Sequence, residues 1–206
     1  MTYNRITKTE MKILEFFTIN IGKQFTILEI ARQIKTSYPI THEYIQKLAD
    51  KNLIMVEKQG KSNLCSFNYK RANQDVFYVE QLRAGNLIKK NKNLAVLTSD
   101  IKSKVDYYFY ILLLFGSFAE GTQNKQSDID LLMIIPEPEN PEKFESKIHS
   151  ITSIYPLEIH LTVINEKSFI EMLAGKDVTN VAKEVLNNHI ILYGIENYYK
   201  LIATAK

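Results

Sequence analysis

Two apolar runs with a short polar stretch between them constrain this chain more than any other feature. Ile111-Leu112-Leu113-Leu114-Phe115 and Leu131-Leu132-Met133-Ile134-Ile135 read as two buried strands. The stretch between them opens with Gly116-Ser117 and passes through what reads as one helical turn. It continues to Gly121-Thr122 and closes with Ser127-Asp128-Ile129-Asp130. Ten residues, 118 to 127, separate Ser117 from Asp128. A strand, a Gly-Ser turn, a helix start, a loop and a second strand opening with two carboxylates is a layout suited to a triphosphate and its magnesium ions.

The chemistry explains the residue types. Gly116 lets the main chain approach a phosphate closely, Ser117 adds a hydroxyl donor, and a helix starting there aims its positive end at an anion. Asp128 and Asp130 stand two apart on a strand, so both side chains share one face and Ile129 takes the other. Paired carboxylates bridge hard, oxygen-seeking cations, and two magnesium ions can activate a hydroxyl and stabilise a departing pyrophosphate. A third acid is expected, and Glu158 is the best candidate. It lies in the alternating run Leu157 to Ile164, which puts Glu158, His160 and Thr162 on one face. An acid there can bind a metal and receive a proton. His160 is a candidate to touch substrate or to hold a carboxylate.

Gly116-Ser117-Phe118-Ala119-Glu120-Gly121-Thr122 followed by Ser127-Asp128-Ile129-Asp130-Leu131 resembles the signature of the DNA polymerase β-type nucleotidyltransferase superfamily. Within it the chain is most similar to the minimal nucleotidyltransferases with a kanamycin nucleotidyltransferase-like core. The likeness runs from Tyr107 to Ile164 and more loosely to Tyr199. It implies Asp128 and Asp130 as ligands of two Mg2+ ions and Glu158 as third ligand and base. Gly116, Ser117 and Ser127 would hold ATP or another nucleoside triphosphate. Many minimal members carry a basic residue shortly after the Gly-Ser pair; this chain has Phe118 and Glu120 there.

Composition sets the surroundings. The hydrophobic content of 45% supports a packed core, and a single cysteine, Cys65, excludes an internal disulfide and a cysteine-based zinc cluster. The longest apolar run, Tyr107 to Phe115, is too short to span a bilayer. Charged residues interrupt Met1 to Phe17, so no signal-peptide pattern is present and a soluble, cytoplasmic protein with no membrane partner is expected. The net charge of +3 hides an asymmetry: residues 1–105 hold 18 Lys and Arg against 9 Asp and Glu, and the remainder hold 8 against 14. The first half therefore favours polyanions.

In that half, Thr7-Lys8-Thr9-Glu10 and Thr26-Ile27-Leu28-Glu29 fit capping boxes ahead of amphipathic helices. Thr36 to Pro39 reads as a turn before a third helix from about Thr41 to Asn52. Leu53 to Glu57 and Leu64 to Tyr69 read as strands turned around Gln59-Gly60-Lys61. Three helices and a hairpin resemble a winged helix-turn-helix. That likeness implies that Thr41, His42, Gln46 and Lys47 face nucleic acid and that Lys58 and Lys61, with Lys70 as a further candidate, contact phosphates.

Residues 73–92 and 99–107 read as helices of a structured linker, with a lysine cluster at Lys89, Lys90 and Lys92. Beyond the Pro136-to-Pro141 loop come a helix over 142–154 and the Glu158 strand. Helices follow over 166–173 and 177–186, then a short apolar element at 189–194 and a last helix over 196–202. Lys183 and His189 are polar candidates in this tail. The expected architecture is α+β: a winged helix over 1–71, a helical linker over 72–106, and a mixed β-sheet packed with helices over 107–206. The expected function is transfer of a nucleoside monophosphate to a hydroxyl on a protein (a toxin, as the resemblance implies), a small molecule or RNA. The alternative is a DNA-binding regulator whose second domain senses nucleotide without catalysis.

Overall fold

The computed structural model of the chain describes residues 6–60, 62–105, 109–124, 127–137, 139–156, 158–175 and 180–205. The chain divides into two compact units, Met1–Glu80 and Gln81–Lys206. The division falls within one helix, α4.

The first unit contains α1 (Lys8–Thr18), β1 (Gln24–Thr26), α2 (Ile27–Gln33), α3 (Tyr38–Asp50), β2 (Ile54–Gln59) and β3 (Ser62–Phe67). A 3-10 turn at Tyr69–Arg71 leads into α4 (Gln74–Lys90). Both capping boxes form. Thr7 Oγ1 accepts from the Glu10 N–H while Glu10 Oε2 accepts from the Thr7 N–H at 2.8 Å. Thr26 and Glu29 make the same exchange at the start of α2. Two orphan donors are satisfied at each helix start, which fixes where the helices begin. The helices bury Ile13, Leu14, Phe17, Ile30, Ala31, Ile45 and Leu48, and the hairpin adds Leu53, Ile54, Cys65 and Phe67. Burial pushes the Cys65 thiol up to about 11, so it packs as a neutral apolar group.

Two features of this unit depart from expectation. Gln24–Thr26 forms a strand pairing antiparallel with β3, giving the order β1-β3-β2. Three residues are too few to show strand alternation, so nothing in the sequence marked them. The third helix starts at Tyr38, three residues earlier than expected, with Pro39 in its first turn, where a missing N–H costs nothing.

The second unit continues α4 into α5 (Lys92–Lys104), then β4 (Ile111–Phe115), α6 (Gly116–Glu120), β5 (Ile129–Ile135), α7 (Pro141–Thr152) and β6 (Ile159–Asn165). It ends with α8 (Glu166–Ala174), α9 (Val181–Asn187), β7 (Ile190–Tyr193) and α10 (Ile195–Thr204). The expected linker helix over 99–107 starts earlier, at Lys92, because Leu94, Leu97, Thr98 and Ile101 already form one buried helical stripe. The four strands form a mixed sheet in the order β6-β5-β4-β7, with β5 and β6 parallel and the other neighbours antiparallel. The unit is thus mixed α and β, as the sequence indicated.

Alternation sorts the sheet into two faces. Leu112, Leu114, Ile129, Leu131 and Met133 form one core with Leu94, Leu97 and Ile101 of α5 and Phe144, Ile148 and Ile151 of α7. The other face is covered by α8, α9 and α10, which bring the buried Phe169, Val185 and Tyr198. Gly194 ends β7 at φ +81°, and a Cβ there would sit 2.5 Å from the Tyr110 carbonyl oxygen, so the edge closes only with glycine. Among the described residues, no helix is long and apolar enough to cross a membrane.

Candidate functional site

The strand register assembles the site. Phe115, the last residue of β4, pairs with Asp130 on β5, and Asp130 in turn pairs with His160 on β6. The Ile129 N–H donates to the Glu158 carbonyl at 2.9 Å, so Glu158 enters β6 beside the start of β5. The Gly116 turn, Asp128, Asp130, Glu158 and His160 therefore meet at one end of the sheet. Ile129 is buried in the core on one face, so the two aspartates lie on the other, at the strand end where their side chains stay partly exposed.

Gly116 has φ +64°, and a Cβ built there would collide with the Asp130 carboxylate. Only glycine lets the turn and this acid occupy the same corner. Ser117 follows Gly116 in α6, which closes after five residues. Its carbonyl accepts from the Gly121 N–H and, at 3.0 Å, from the Thr122 N–H. Ser127 Oγ accepts from the Asn124 N–H at 2.8 Å, which ties down the loop that delivers Asp128.

Around these elements stand three carboxylates and one imidazole. His160 Nδ1 lies 3.5 Å from Asp130 Oδ1 and 3.9 Å from Asp128 Oδ2, and His160 Nε2 lies 3.4 Å from Glu158 Oε1. Ligand atoms of Asp128, Glu158 and His160 all fall within 4.8 Å of one another, the spacing of a group that can hold a metal ion. The acids named from the sequence are thus brought together. The imidazole at their centre was singled out as a contact but not as a ligand. Its position depends on the parallel pairing of β5 with β6, which no local pattern reveals.

Beside the site, between α7 and β6, lies a cavity of about 610 Å³ lined by Glu145, Ser146, His149, Thr152, Ile159, His160 and Leu161. No local pattern marks it, because the α7 residues are ordinary polar positions on an amphipathic helix. A smaller cavity of about 230 Å³ is lined by Lys90, Lys92, Leu94, Phe118 and Ile129 among others. It brings two members of the lysine cluster to α6. Phe118 packs on the core, which accounts for an apolar residue where a cation was expected.

The other candidates in the second unit have structural roles. Lys183 Nζ donates to the Gly175 carbonyl at the end of α8. His189 is buried, with Nδ1 2.6 Å from the Val185 carbonyl oxygen, and its own carbonyl accepts from Arg83.

In the first unit, Thr41 is fully buried and its hydroxyl donates to the Ser37 carbonyl at 2.9 Å. Spaced at i, i+4 and i+7 with Ile45 and Leu48, Thr41 lies on the buried stripe of α3, so it does not belong to an exposed nucleic-acid face. His42 is half-buried beside Tyr38, and Gln46, Lys47 and Lys58 are exposed. Lys47 is held by Glu43 at 2.7 Å, a bond that raises its pKa. Lys61 lies outside the described residues.

Residues 110–192 match the nucleotidyltransferase domain family. The matched segment contains the Gly116 turn, both aspartates, Glu158 and His160. No curated protein and no solved structure matches the chain.

Proposed function

We propose that the second unit is a metal-dependent nucleotidyltransferase that moves a nucleoside monophosphate, AMP from ATP, onto an acceptor hydroxyl. The observation that carries this reading is the convergence of Asp128, Asp130 and Glu158 on the Gly116 turn, within the segment that matches the family. Three carboxylates are a donor set suited to Mg2+. Asp128, Asp130 and Glu158 would hold two such ions, which supply charge neutralisation for the triphosphate and the departing pyrophosphate.

The protein's own groups do the rest. The Gly116 and Ser117 backbone and the Ser117 and Ser127 hydroxyls bind and orient the triphosphate. The acceptor oxygen bonds to the α-phosphorus as the bond to the β-phosphate bridge breaks, and pyrophosphate leaves with that electron pair. Glu158, exposed at the mouth of the site, takes the acceptor proton. Lys90 and Lys92 stand beside α6 and offer the cationic field that Phe118 and Glu120 do not. The acceptor hydroxyl belongs to a protein side chain, with a small molecule or an RNA end as the other classes to be separated by experiment.

For the first unit, the helix order, the β2–β3 hairpin and the β1-β3-β2 sheet support a winged-helix reading. Exposed Gln46, Lys47 and Lys58 and the basic first half support nucleic-acid contact. The chain is then incubated with Mg2+, each nucleoside triphosphate in turn and a cell lysate, and acceptors are identified by their mass increase. An added mass of one nucleotide that disappears with Asp128→Asn/Asp130→Asn supports the transferase. No adduct with any nucleotide, alongside tight DNA binding lost on charge reversal at Lys47 and Lys58, supports a regulator instead.

A further inference from the structure

We infer that His160 is itself a metal ligand of the acidic site, and that its imidazole makes the site prefer a first-row transition ion, with Mn2+ as the probe, over Mg2+. The inference rests on the transferase reading only for a divalent ion at this end of the sheet. Both ring nitrogens address carboxylate oxygens, at 3.4, 3.5 and 3.9 Å. Those separations are longer than a good hydrogen bond, whose mode is about 2.9 Å. The two Nδ1 separations, to Asp128 and Asp130, match donor atoms sharing one ion, since two ligands each about 2.1 Å from a metal stand at most about 4.2 Å apart, while Nε2 addresses Glu158.

The surroundings favour a ligand over a structural histidine. The His160 side chain is 57% exposed, so burial does not force it against the acids. It is set there by the backbone, through the pairing of Asp130 with His160 in the parallel β5–β6 ladder. Among the described residues its charged neighbours are Asp128, Asp130 and Glu158 alone. His160 is also among the residues that line the cavity of about 610 Å³ between α7 and β6.

Ligand chemistry then sets the preference. Magnesium binds oxygen donors and gains little from imidazole, whereas first-row transition ions accept nitrogen readily. A pure carboxylate site discriminates weakly between Mg2+ and Mn2+ in comparison with one that adds a nitrogen.

The test uses the full chain without nucleotide or acceptor. Mn2+ binding is followed by electron paramagnetic resonance, Mg2+ by competition, and directly bound nitrogen by electron spin echo modulation from 14N. We expect a 14N signal from coordinated imidazole in the unaltered chain. In His160→Gln we expect that signal to vanish and Mn2+ affinity to fall about tenfold or more, with Mg2+ affinity changed less than about twofold. Asp128→Asn should weaken both ions. Absence of the 14N signal in the unaltered chain overturns the inference without reliance on any variant. So does an unchanged Mn2+/Mg2+ ratio in His160→Gln, or failure of the chain to bind Mn2+. A chain that binds Mn2+ through His160 but transfers no nucleotide keeps this inference and loses the transferase reading. A chain that transfers equally well with either ion and without His160 does the reverse.

Discussion

Acidic residues do opposite work in the two units. In the first, Glu10 closes the α1 capping box and meets Lys51 at 2.9 Å, Glu29 closes the α2 box, and Glu43 pairs with Lys47. Each has a backbone N–H or a cation to answer it. In the second, Asp128, Asp130 and Glu158 crowd one end of a sheet around the His160 imidazole, and among the described residues no Lys or Arg pairs with them. Answered carboxylates hold a fold together, whereas clustered ones repel each other and await a cation. The contrast supports the proposal that the second set serves a ligand.

The sharpest way to break the comparison is to neutralise the clustered set. Asp128→Asn/Asp130→Asn should lower nucleotide transfer at least about a hundredfold. Relief of like-charge repulsion should leave thermal stability unchanged or raised. A drop in melting temperature would instead show that these acids are structural.

Gly116→Ala tests whether the turn and the acids form one device. The left-handed backbone at Gly116 makes the added Cβ cost about 1–2 kcal/mol of stability. Displacement of Asp130 should lower transfer about tenfold to a hundredfold. Full activity would separate the turn from the site.

The complementary variant is Glu10→Gln, which should cost about 1–3 kcal/mol of first-unit stability, measured by chemical denaturation, and leave transfer unaffected. Its pH dependence has a definite sign. Burial raises the Glu10 pKa, but the bonds from the Thr7 backbone and Lys51 outweigh it and leave it below the ordinary 4.5. Its stabilising contribution is therefore fully present above about pH 4.5 and lost as pH falls through the lowered value. The Lys51 ammonium loses solvation but is held by Glu10 and Asp75, so its pKa rises above 10.5. Its contribution is present below that value and lost as pH rises through the raised one.

The smallest expected effect is at the α4–α5 corner. Lys90→Gln/Lys92→Gln should raise the KM for nucleotide about threefold and leave kcat near its original value, since exposed charges act weakly through solvent. An unchanged KM at low salt would remove these lysines from the triphosphate path.

What the sequence revealed follows from how far each interaction reaches along the chain. Thr7 with Glu10 and Thr26 with Glu29 are three residues apart, and both boxes were readable. So were β4 and β5, whose apolar runs need no partner to be recognised. The start of α3 is hard to read because Pro39 looks like a break yet sits in the helix's first turn, and the burial of Thr41 follows from its helical spacing with Ile45 and Leu48. β1 is too short to show alternation and exists only through its pairing with β3. At the site, the acids were readable from spacing. The place of His160 among them required the β5–β6 register, and the cavity beside it required the packing of α7 on β6.

The central claim is that the crowded carboxylates serve transfer of a nucleoside monophosphate. Its most direct test is to supply ATP labelled on either the α- or the γ-phosphate, with divalent metal and lysate, and follow acceptor labelling. The account predicts label on the acceptor from the α-position only, equimolar pyrophosphate, and neither with Asp128→Asn/Asp130→Asn. Label arriving from the γ-position, or α-label transfer undiminished in the double variant, would contradict it.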